Sequence, residues 1–129
     1  MTNKALPPLS SREATELQEA LATVPSRSGT AVSLNGLLTR WQALIGEAER
    51  GYQLTAYDYS NDLSVRDRLE DVGALLSPEL RAKVMQAVAP LDERFLNATE
   101  EAPRPLSDRP HVWWRRIPRK RDAEFDETM

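Results

Sequence analysis

The stretch Ser33–Gly51, "SLNGLLTRWQALIGEAERG", decides the fold class. Leu34, Leu37, Leu38, Trp41, Leu44, Ile45 and Ala48 recur at intervals of three and four, so one broad apolar stripe runs along a helix. Ser33 stands where an N-cap belongs, and Gly51 where a chain leaving a helix needs positive φ. Gly36 and Gly46 lie inside the pattern at a cost of about 1 kcal/mol each relative to alanine, which suggests close approach of a neighbouring helix. No period-two alternation competes with this reading, so the segment is a helix with one face to bury.

The same reading extends outward. Towards the N-terminus, "SSREATELQEALATV" (10–24) opens with a capping box, Ser10 with Glu13, followed by Leu17, Leu21 and Val24 at helical spacing. Pro25 ends that helix, and "PSRSGT" (25–30) is a loop by composition. Towards the C-terminus, "LTAYDYSNDLSVRDRLEDVGALL" (54–76) begins with Thr55 and Asp58 at capping-box spacing. Leu63, Leu69, Val72 and Leu76 form its inner face, with Asp58, Asn61, Asp62, Arg68 and Asp71 opposite. A fourth helix starts at Ser77, Pro78 and Glu79, a strong start signal. Leu80, Val84, Ala87, Val88, Leu91, Phe95 and Ala98 line it, and Pro90 predicts a kink or a short break.

After Ala102, "PRPLSDRP" (103–110) holds three prolines in eight residues and cannot continue a helix. No strand pair or internal repeat is visible. The expectation is therefore an all-α protein: a compact bundle of about four amphipathic helices over residues 1–102, and an extended, Pro-rich, Trp- and Arg-containing C-terminal arm over 103–129.

Composition narrows the function classes. The 129 residues suffice for one self-supporting core, and 40% hydrophobic with 29% charged residues is ordinary for a soluble globular protein. With no cysteine there is no disulfide framework, thiolate nucleophile or cysteine-based zinc site. No basic-then-apolar leader and no membrane-spanning apolar run occur, so a cytoplasmic protein without membrane attachment is expected. Arginine outnumbers lysine 14 to 3, which fits the coding bias of a high-GC bacterial gene.

Chemistry is sparse. His111 is the only histidine, which is too few for a usual zinc site, and no G-x-S-x-G or glycine-rich phosphate loop occurs. No catalytic residue, metal ligand or cofactor is assigned, and an enzyme is not expected. Asp58 and Asp62, at i and i+4, could share a metal if another helix supplied carboxylates, for instance Glu47 or Glu93. The simpler reading makes Asp62 and Arg66 a surface ion pair.

Two surfaces remain. Tyr52, Tyr57, Asp58, Asn61 and Asp62 gather near the join of the second and third helices, where tyrosine offers apolar area with a polar tip. This acidic, tyrosine-bearing face suggests a small protein-binding module, such as an inhibitor or immunity-type partner of a larger enzyme or toxin, able to cover a basic active site. The alternative is a nucleic-acid-associated regulator that uses residues 104–121, with Trp113, Trp114, Arg115, Arg116, Arg119, Lys120 and Arg121 for stacking and phosphate contact. Residues 103–121 carry seven basic groups and one acidic, whereas the last eight residues carry four acidic groups.

Adjacent tryptophans are costly to leave in water. Docking of the arm on its own domain at 111–118 is accordingly expected, with Trp113 and Trp114 on opposite sides of an extended strand. Arg115, Arg116 and Arg119 would then meet carboxylates such as Asp62, Asp67, Glu70 or Asp71. The acidic end, "DAEFDETM", is expected to fray.

Overall fold

The computed structural model describes residues 7–24 and 33–129; the Pro25 terminator and the 25–30 loop lie outside them. Four helices form the body: α1 (Ser11–Thr23), α2 (Leu34–Arg50), α3 (Ala56–Ala74) and α4 (Pro78–Ala98). Helix α2 packs on both α3 and α4, and α3 also meets α1. The chain is an all-α bundle, and among the described residues no helix is long and apolar enough to cross a membrane.

Local chemistry sets the helix starts. The Ser10–Glu13 and Thr55–Asp58 capping boxes are both closed in each direction, which satisfies N–H groups that a helix terminus leaves open. Ser77 does not cap α4 through its side chain. Its N–H and hydroxyl instead donate to the Glu16 carboxylate at 2.5 and 3.1 Å, tying the start of α4 to α1. Gly51 ends α2 with φ of 120°, a region disfavoured for L side chains.

Three local expectations are corrected. Of the kink or short break expected at Pro90, the break does not occur: α4 runs on through Pro90, because Pro90 and Gln86, whose carbonyl loses its i+4 donor, both face solvent. Gly36 and Gly46 do not admit a neighbouring helix; a methyl there would meet Ser33 Oγ and the Arg50 guanidinium of α2's own end. Strand pairing also occurs: β1 (Thr99–Glu101) pairs antiparallel with β2 (Arg116–Pro118), Glu100 opposite Ile117. The division at 102/103 thus falls in the connection between two paired strands.

The core centres on α3, which is buried on more than one side. Leu63, Leu69 and Val72 lie inside as the pattern predicts, but so do Val65, Arg66 and Asp67. The C-terminal segment accounts for that second buried side, since α3 also contacts the 3₁₀ turn Val112–Arg115 and a last helix, α5 (Ala123–Thr128). The end expected to fray is therefore ordered as α5, with Phe125 fully buried. Trp41 and Phe95 pack at 4.8 Å between ring centroids elsewhere in the same core.

Candidate protein-binding face and the docked arm

The arm is a clasp built around one carboxylate. Val112–Arg115 is a 3₁₀ turn rather than extended chain, so Trp113 and Trp114 are not sent to opposite sides. Both are buried, and both indole N–H groups donate to Asp67 of α3: Trp113 at 2.8 Å, Trp114 at 3.0 and 3.2 Å. Arg109 adds a third donor to the same carboxylate. Buried indole N–H groups need acceptors, and a carboxylate can serve several donors at once.

The Trp113 ring has two further partners. His111 stacks on it at 4.5 Å, while the Arg66 guanidinium lies 4.3 Å from its centroid. Arg66 is held by a two-pronged bond to Asp92, at 2.9 and 2.8 Å, and by Glu70 at 3.0 Å. Burial pulls its pKa down, but these carboxylates outweigh burial and leave it above the ordinary arginine value. Asp92 also accepts from the Trp41 indole at 3.0 Å, so one network links α2, α3, α4 and the arm.

The remaining arm cations differ from expectation. Arg116 does not reach a helix carboxylate; it donates to Thr99 Oγ1 and to the carbonyls of Leu96 and Thr99, at 2.7 to 3.1 Å. Arg121 bridges Asp126 of α5 and Glu100 of β1, at 2.7 and 3.0 Å. Arg115, Arg119 and Lys120 are exposed. The structure therefore separates the arm's residues: its indoles point inward, and only part of its charge faces water.

The tyrosine cluster separates as well. Tyr52 and Tyr59 are fully buried and form a triangle with Phe125, with centroids 5.4 to 5.9 Å apart and the rings edge to face. Tyr59 donates to the Arg116 carbonyl at 2.8 Å. Tyr52 donates to Asp62 Oδ2 at 2.9 Å, which takes Asp62 away from the expected pair with Arg66. Burial pushes both phenols above the usual tyrosine range, reinforced in Tyr52 by Asp62. Partial burial also holds the Asp62 carboxyl above its usual value, against the lowering effect of the Tyr52 hydroxyl. Tyr52 is thus corrected from surface to core, and Asp62 is half-buried.

Tyr57 remains outside, 77% exposed, with Leu54 beside it in sequence at 49%. Asp58 is exposed and occupied by the Thr55 cap, and Asn61 is also exposed. Neither Leu54 nor α5 is marked by any motif in the sequence. Leu54 resembles any apolar residue before a helix, and Phe125 sits in an acidic tail with no visible periodicity. Among the described residues no three acidic or imidazole side chains group as a metal site. The chain matches no family model, no curated protein and no solved structure, so its function is read from its own residues.

Proposed function

We propose that this chain is a small helical protein-binding module, of the inhibitor or immunity type, that engages its partner through the Tyr57 face. One observation carries the reading. Of the eight tryptophan, tyrosine and phenylalanine side chains, seven are at most 7% exposed and Tyr57 is 77% exposed. A fold that encloses every other large ring gains nothing internally from leaving this one in water, whereas tyrosine is among the residues that dominate protein interfaces. Exposed Leu54, Asp58 and Asn61 extend the face. The nucleic-acid reading is less well supported, because base stacking on Trp113 or Trp114 would require undocking the arm.

A photoreactive benzophenone side chain at position 57, compared with one at exposed Gln18 on α1, tests this in cells that express the chain. A cross-linked protein is expected from position 57 alone. The same purified protein should lose affinity for Tyr57→Ala while the variant melts like the parent. Equal cross-linking at both positions, or none at 57, would sink the reading.

A further inference from the structure

We propose that α5 supplies the second half of this docking face, and that the face receives a basic protein segment. The inference rests on the Tyr57 reading above. Helix α5 is attached at the point where the face begins: Thr128 Oγ1 accepts the N–H of Ala56, the first residue of α3 and the neighbour of Tyr57, at 2.9 Å. Phe125 locks the other side of α5 between Tyr52 and Tyr59. The tail is therefore part of the same rigid end of the molecule as Leu54 and Tyr57.

Of the three acidic residues of α5, Asp126 is paired with Arg121, whereas Glu124 and Glu127 form no ion pair among the described residues. Glu124 and Glu127 are exposed at i and i+3 on one face of α5, as that spacing requires. Of the cations near α5, Arg121 is engaged by Asp126, Glu100 and the Pro118 carbonyl, and Arg104 donates to the Met129 carbonyl at 3.4 Å; neither meets Glu124 or Glu127. The exposed apolar residues Leu54 and Tyr57 thus share the end of the molecule where α5 is attached with the exposed carboxylates of Asp58, Glu124 and Glu127. A complementary surface offers apolar contact for the pair and lysine or arginine around it; a guanidinium can also lie over the Tyr57 ring.

The test uses the full chain with a short fluorescent peptide of arginine and leucine, and a matched peptide of glutamate and leucine, read by anisotropy. Only the arginine peptide should bind, more weakly as salt is added. Glu124→Gln with Glu127→Gln should weaken it about tenfold, within the range of two partly exposed ion pairs. Tyr57→Ala should weaken it too, and Glu19→Gln on α1 should not. Both peptides failing to bind, or binding indifferent to the α5 double variant while its melting is unchanged, overturns the proposal. If position 57 still cross-links a protein whose binding ignores the α5 charges, the docking face stands and the basic-partner assignment is lost.

Discussion

Asp67 offers the sharpest test of how the arm is held, because its carboxylate is the common acceptor for Trp113, Trp114 and Arg109. Asp67→Leu keeps roughly the volume and removes every acceptor. Two buried indole N–H groups are then left unsatisfied, at about 1–3 kcal/mol each. Arg109 is more than half exposed, and its pairing adds little. The expected loss is about 2–6 kcal/mol, a large share of the roughly 5–15 kcal/mol that holds a domain together. Asp67→Asn should be milder. Oδ1 accepts from both indoles, so an amide oxygen in that position preserves both bonds and loses their charge assistance together with the Oδ2 contacts to Trp114 and to the exposed Arg109, about 1–2 kcal/mol in all. Urea unfolding followed by far-UV circular dichroism gives the two energies, and tryptophan emission reports whether the indoles have reached water. If Asp67→Leu unfolds within about 0.5 kcal/mol of the parent, or if the two variants cost the same, the clasp is held by apolar burial alone and the convergence on Asp67 contributes little.

A chain ending at Ala102 loses Trp113, Trp114, Ile117 and Phe125, all buried. At about 1.5–3 kcal/mol per buried side chain the deficit is about 6–12 kcal/mol, so no cooperative melt is expected, and calorimetry showing a parent-like transition would contradict this. Gly51→Ala places a methyl at φ of 120° and should lower stability by about 1–2 kcal/mol, read as a fall in urea midpoint with an unchanged slope. Asp62→Asn tests the half-buried pair with Tyr52. The folded-state pKa of Asp62 is raised above 3.8, so between those two values the folded chain binds more protons than the unfolded one. Its contribution therefore falls as pH rises through that window. Asparagine still accepts from the Tyr52 hydroxyl, and the variant should be at least as stable as the parent at neutral pH, losing that advantage in acid. Urea midpoints at both pH values measure this; a variant weaker only at neutral pH contradicts it.

What was legible in the sequence is what a few consecutive residues decide. The Ser10–Glu13 and Thr55–Asp58 boxes close between residues three apart. The stripes of α2 and α4 follow from 3.6 residues per turn, whatever they later pack against. Glycine at 51 was required by a local dihedral angle. Burial of the two adjacent tryptophans was also foreseeable, since apolar area drives it without regard to direction.

The candidate site depended on choices between equivalent neighbours. Asp62, Arg66 and Glu70 lie along one line of α3, and spacing alone allows Arg66 to pair with either acid. Tyr52, brought alongside by the turn from α2 to α3, takes Asp62, and Asp92 of α4 completes the shell around Arg66. Tyrosines 52, 57 and 59 look alike in sequence; only the docking of Phe125 encloses two of them and leaves the third outside. A six-residue helix such as α5 is too short to form by itself, so it exists because its one aromatic residue is buried. The four long helices, their caps and the stripes of α2 and α4 were readable from short stretches of chain, because those depend on backbone geometry and solvent. Which polar group meets which was settled by the packing of the elements, because hydrogen bonds are directional and short, and their partners here stand as many as 75 residues apart.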